Sequence, residues 1–100
     1  MFIKIHKSQN IRPVVAICDS NIIGKKFEEG KRQLDLRENF YKGEETSKEK
    51  AVKLIQRQTV EDASFNIVGK ESIATAIEAG IIQKEGVHKI KGIPFSLVLL

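Results

Sequence analysis

Val14, Ala16 and Cys18 alternate with Val15 and Ile17, so both faces of an extended segment over 14–18 are apolar. That pattern predicts a strand covered on two sides, placed in the middle of a sheet. Asp19-Ser20-Asn21 ends it, because these side chains bond nearby backbone and compete with the ladder. Upstream, Phe2 to Lys7 alternates apolar with polar, Ile3 and Ile5 on one face, and reads as a first strand closed by a turn at Ser8-Gln9-Asn10. Pro13 falls at the start of the central strand, where a missing N–H is tolerated. Gly24 and Gly30 are the natural sites of positive φ in the connection that follows. Lys31 to Leu36 reads as a third strand, with Leu34 and Leu36 inward and Gln33 and Asp35 outward, a half-solvated antiparallel pattern. Glu38 to Gly43 reads as a loop whose adjacent aromatics, Phe40 and Tyr41, cover the end of the core.

The periodicity then changes. Thr46-Ser47-Lys48-Glu49 has capping-box spacing, with Thr46 at the N-cap and Glu49 three residues on, and opens a helix to about Gln58. Ala51, Val52, Leu54 and Ile55 share one side of it. Lys50, Lys53 and Arg57 fall within roughly one-sixth of a turn on another. Phe65, Ile67 and Val68 predict a short strand. Gly69-Lys70 then opens a second helix over 70–79, with Ile73, Ala76 and Ile77 inward. Gly80 stands at its C′ position, with Ile81 placed for an apolar contact back to the last turn. A strand over Val87 to Ile90, a turn at Gly92-Ile93-Pro94 and an apolar strand over Phe95 to Leu100 complete the chain. Strand–helix–strand in this last third is compatible with a parallel, right-handed crossover. The expected fold is α+β: one domain over 1–100, with a mixed sheet of about five or six strands, antiparallel in its N-terminal portion, and two helices packed on it.

Composition narrows the class. Apolar residues make up 41% and charged residues 30%, which excludes wholesale disorder. A single cysteine rules out an internal disulfide and fits a reducing cytoplasm. The alternating start is unlike a signal peptide. The apolar runs Val14 to Cys18 and Leu97 to Leu100 are far short of the roughly 20 residues of a membrane span. The charge is unevenly spread. Lys4, Lys7, Arg12, Lys25, Lys26, Lys31 and Arg32 face only Asp19, Glu28 and Glu29 in residues 1–32, so the whole net +4 lies there. A local excess of this kind favours an anionic partner such as RNA, though a lysine-rich soluble surface has the same composition.

Chemical signatures are sparse. A Walker-type loop needs a first glycine and a metal-binding hydroxyl around Gly-Lys; Gly24-Lys25 has Asp19 and Lys26 there, and Gly69-Lys70 has Ser64 and Glu71. Gly69-Lys70 does precede a helix, where free N–H groups favour an anion, but a simple tight turn is the better reading. His6, His88 and Cys18 lack the spacing of a metal site, and no cofactor motif is present. Cys18 with a histidine base would make a nucleophile, but Asp19 beside it opposes the thiolate and its apolar run is core-like. The pairs Glu28-Glu29 and Glu44-Glu45 read as solvated faces. No catalytic residue is assigned. The best binding candidates are the stripe Lys50, Lys53 and Arg57 together with Lys25, Lys26, Lys31 and Arg32, which suit phosphates without reading sequence. Phe40 and Tyr41 are either core cover or a stacking platform for a base.

Cys18-Asp19, Gly24-Lys25, Phe27-Glu28-Glu29-Gly30, Phe40-Tyr41-Lys42-Gly43, Asn66-Ile67-Val68-Gly69 and Gly92-Ile93-Pro94, in this order, resemble a small archaeal family catalogued as domain of unknown function 424. The resemblance spans nearly the whole chain and rests on the order of short motifs. It implies a compact cytoplasmic α/β protein associated with translation, without an assigned activity. In that family the late proline is often followed by His-Ala-Gln; here Phe95-Ser96-Leu97 follows Pro94, so any chemistry of that histidine is absent. The leading expectation is a non-enzymatic module that binds RNA, a ribosome or a translation factor, away from membranes. A protein–protein adaptor using a sheet edge or the C-terminal strand is the second. An enzyme with a cleft near Cys18, Asp19 and Gly24-Lys25 is the third.

Overall fold

The computed structural model describes residues 1–9 and 11–99, so Asn10 of the expected turn and Leu100 of the expected last strand lie outside the described residues. The elements are β1 (Phe2–Ser8), β2 (Ile11–Cys18), a 3₁₀ turn (Ser20–Ile22), β3 (Lys26–Glu29), β4 (Arg32–Asp35), α1 (Glu38–Tyr41) and β5 (Glu44–Glu45). They continue with α2 (Lys48–Val60), β6 (Ser64–Val68), α3 (Lys70–Glu78), a second 3₁₀ turn (Lys84–Gly86), β7 (His88–Ile90) and β8 (Ile93–Val98). Six strands form a mixed sheet in the order β5-β1-β2-β6-β8-β7, and β3 and β4 form a separate two-stranded sheet.

β2 is central, as its doubly apolar pattern requires. It runs antiparallel to β1 and parallel to β6, with Val15 opposite Phe65 and Ile17 opposite Ile67. Val15, Ala16, Ile17 and Cys18 are fully buried. Because side chains alternate, the sheet carries a core on each face. On one face Val15, Ile17, Phe65 and Ile67 meet Ala51 and Ile55 of α2 and Ile73 and Ala76 of α3. On the other, Cys18 and Val68 meet Ile22, Leu34, Leu36 and Ile90. Each fully buried Val, Ile or Phe contributes roughly 1.5–3 kcal/mol. The result is the expected α+β globule.

Several local expectations are corrected. The third strand is Arg32–Asp35, and Lys26–Glu29, expected as connection, pairs with it, Phe27 opposite Leu34. Phe27 is the only apolar residue in β3, too little for a period-two signal. The hairpin loop is Gly30-Lys31, and Gly30 at φ +62° suits the first central position of a type II′ turn. Glu38–Tyr41 is one helical turn rather than loop. The N-cap of α2 is Ser47, whose Oγ accepts from Lys50 N–H at 3.4 Å, not Thr46. Thr46 is taken by the strand before it: its N–H donates to Met1 O and its hydroxyl to Glu44 O.

The last third differs in part. β7, the strand after α3, is parallel to β6 as the strand–helix–strand spacing allowed, but β8 lies between them, antiparallel to both, with Val68 opposite Phe95. The turn before β8 is Lys91-Gly92, both at positive φ, and Pro94 lies inside β8 opposite Lys89. β8 is therefore covered on its outer side by β7 over residues 93–95, whereas residues 96–98 pair as strand with β6. Gly80 at φ +84° closes α3 as expected: Gly80 N–H donates to Ile77 O, and Ile81 N–H to Ala76 O. Ile77, expected inward, is 39% exposed; Ser72 and Thr75 are buried in α3 alongside Ile73 and Ala76.

Candidate functional site

Since β2 and β6 are parallel, their carboxyl ends coincide, which is where open α/β sheets form ligand crevices. Asp19 follows β2 and Gly69 follows β6. The Asp19 carboxylate, 7% exposed, reaches across to the start of α3. Glu71 N–H donates to its Oδ2 at 3.0 Å, Ser72 N–H to Oδ1 at 2.7 Å, and the Ser72 hydroxyl to Oδ1 at 2.7 Å. Asp19 thus caps α3 from 52 residues away, satisfying N–H groups that a helix start leaves free. Gly69 makes room for it. Its φ is +111°, and a methyl carbon there would fall 2.2 Å from Asp19 Cγ. Gly69 N–H itself donates to Pro94 O at 2.8 Å.

This lock corrects the anion reading of Gly69-Lys70, because two of the helix N–H groups already hold the chain's own carboxylate. A cleft of about 610 Å³ opens beside it, lined by Ser20, Asn21, Glu45, Ser47, Lys70 and Glu71 among others. The Ser20 hydroxyl donates to the Glu45 carboxylate, with its oxygen 2.7 and 2.6 Å from Oε1 and Oε2. That hydrogen bond, ahead of the Met1 ammonium at 3.3 Å, holds the Glu45 carboxyl below the usual carboxylate range. Glu45 is exposed, so solvent screens this pair. Among the described residues no three His, Cys, Asp or Glu side chains converge as metal ligands would.

Cys18 does not serve the cleft. It is fully buried beneath it, and burial, followed by the neighbouring Asp19 charge, pushes its thiol up to about 12. A thiol so raised stays protonated and inert. His6 Nε2 lies 2.9 Å from Phe40 O, and His88 leans on the Phe95 ring, so each imidazole is engaged elsewhere. Gly24-Lys25 is a structural turn: Gly24 N–H donates to Leu36 O and Leu36 N–H to Lys25 O. The enzyme reading thus loses its nucleophile and its turn.

The seven basic candidates separate into two groups. Lys50, Lys53 and Arg57 lie exposed on α2, against one face of the sheet. Lys25, Lys26, Lys31 and Arg32 lie exposed on or beside the β3–β4 hairpin, against the other. The basic candidates therefore occupy two platforms, one on each side of the sheet. Lys26 pairs with Glu28 at 3.4 Å, and Arg32 sits over the Phe95 ring at 5.6 Å. Lys50, Lys53 and Arg57 form no ion pair among the described residues, whereas Lys48 on the same helix pairs with Glu78 at 3.7 Å. Tyr41 is core cover beside Cys18, its hydroxyl raised to about 12, mainly by burial. Phe40 instead stacks on His6, ring centroids 4.6 Å apart. Sequence reasoning missed Ser72, whose signal was a hydroxyl two residues into a helix opened by Gly69-Lys70.

The fold and this cross-chain cap define a small mixed-sheet α+β domain with helices on one face and a hairpin on the other. The family model described as "Protein of unknown function (DUF424)" matches residues 6–100, and the chain belongs to that family. No curated protein matches. Among solved structures, the crystal structure of an uncharacterized conserved protein from Methanopyrus kandleri is similar, with a TM-score of 0.87 and 22% identity over 97% of this chain and 88% of that one. At that identity the likeness speaks for the fold.

Proposed function

We propose that the chain is a non-enzymatic RNA-binding module of the archaeal cytoplasm, acting in translation on RNA or the ribosome through the outer side of α2. The observation that carries this reading is the stripe Lys50, Lys53 and Arg57: exposed, at helical spacing, and without ion pairs among the described residues. Each cation releases counterions when it meets a phosphate, so three contacts give a slope of about −2 in log affinity against log salt on single-stranded RNA. Affinity then falls roughly 15- to 20-fold between 50 and 200 mM salt. Fluorescence anisotropy with a labelled oligouridine 12-mer reads this directly. Charge reversal of Lys50, Lys53 and Arg57 together removes binding, while reversal of Lys25, Lys31 and Arg32 leaves the slope in place. Salt-independent binding, or none at low salt, overturns the reading.

A further inference from the structure

The helix-covered face of the sheet is only partly roofed. α3 lies against β6 and β8, and the edge strand β7 continues the sheet beyond it. An open groove of about 410 Å³ runs there, floored by Ile73, Ala74 and Ile77 of α3 and by Val87 and Pro94. Lys70, Ala74 and Ile77 share one side of α3 with Ile73, which lies at the edge of the core, so the apolar side of α3 extends past the buried core as far as Ala74 and Ile77. This explains the exposure of Ile77: it faces the groove rather than the sheet.

The rim is cationic. Lys70, Lys84 and Lys89 surround this floor, all exposed, and none forms an ion pair among the described residues. An apolar floor inside a ring of unpaired lysines complements one kind of surface: apolar in the middle, acidic at the sides. An RNA backbone would use the lysines and leave the floor empty. The basic stripe of α2 on a second copy of this chain would meet like charge here.

We propose that this groove docks an amphipathic helix of a partner protein, apolar along one side with Asp or Glu on both flanks, seated beside α3 as a third helix of that layer. The site is separate from the α2 stripe, so either reading can fail while the other stands.

The test uses the full chain, isotopically labelled for amide NMR, and a synthetic 14-residue helical peptide with leucines at i, i+3, i+4 and i+7 flanked by glutamates. A control peptide carries lysines in place of the glutamates. The acidic peptide is expected to shift amides of residues 70–77, 84–89 and 93–95, and to bind at least tenfold more tightly than the control. Ile77→Glu and the pair Lys84→Glu, Lys89→Glu are each expected to weaken it at least tenfold. These side chains are exposed, and an unchanged urea midpoint verifies that the variants remain folded. Equal binding of both peptides, shifts centred outside these segments, no shifts at 1 mM peptide, or displacement of the acidic peptide by oligouridine overturns the proposal. So does concentration-dependent self-association through the same amides.

Discussion

Replacing Asp19 tests the lock between β2 and α3 most directly. In Asp19→Ala, Glu71 N–H, Ser72 N–H and the Ser72 hydroxyl lose their acceptor together. Loss of an N-cap acceptor costs about 0.5–2 kcal/mol, and each buried donor left without a partner about 1–3 kcal/mol. The adjoining cleft lets water relieve part of this, so the net loss is about 3–5 kcal/mol, a large share of the 5–15 kcal/mol typical of a domain. Asp19→Asn keeps an acceptor for Ser72 but turns an amide toward Glu71 N–H, for a loss of about 1–2 kcal/mol. Urea unfolding followed by circular dichroism measures both; with a slope of about 1 kcal/mol/M, Asp19→Asn lowers the midpoint by about 1–2 M. If Asp19→Ala leaves the chain unfolded, Asp19→Asn and Ser72→Ala carry the test. Gly69→Ala should cost more in the native chain than in Asp19→Asn,Ser72→Ala, because the clash falls on a carboxylate held in place by Ser72. A loss below about 1 kcal/mol for Asp19→Ala, or strict additivity with Gly69→Ala, would refute the lock.

Three further outcomes follow from the geometry. Cys18 should resist iodoacetamide at pH 8 in the folded chain and label only at the rate of unfolding. Its folded pKa is raised, so the contribution of the neutral thiol is complete below about pH 8.5 and lost as pH climbs toward about 12; labelling as fast as free cysteine contradicts its burial. Gly43→Ala should destabilise by more than about 2 kcal/mol, because its methyl carbon would fall 2.1 Å from Ile3 O, a backbone atom that cannot swing aside; thermal melts decide. Ser47→Ala should cost about 1 kcal/mol and Thr46→Ala distinctly less, since only Ser47 caps α2; equal losses would restore the capping box at Thr46.

Burial and period made the centre of the fold legible. Val14 to Cys18 announced a covered strand because both of its faces are apolar, and Gly80-Ile81 announced the end of α3 because few other residues suit that turn. β3 was hidden because a four-residue strand with one apolar side chain carries no alternation. Adjacent hydroxyls at Thr46 and Ser47 left the cap ambiguous by one residue, and tertiary pairing of Thr46 with Met1 decided it. The insertion of β8 between β6 and the parallel β7 was illegible, since strand–helix–strand spacing fits a parallel crossover without naming which strands are neighbours. The Asp19–Ser72 contact joins residues 53 apart, and a lone aspartate after a strand names no partner. The basic residues were visible one by one; their division between the two faces is a property of topology alone.

The seam between β2 and β6 sets the timetable of folding. Its two strands are separated by about 45 residues, and drawing such a span closed costs roughly 3 kcal/mol of chain entropy before any contact across it repays the loss. The two neighbouring hairpins, β1 with β2 and β3 with β4, face no such delay. Amide protection at Ile67 should accordingly lag that at Leu34 in pulse-labelled refolding, and simultaneous protection would argue for a different sequence of events. During synthesis, then, the most water-averse strand of this protein waits with one rim bare until Val68 has left the ribosome.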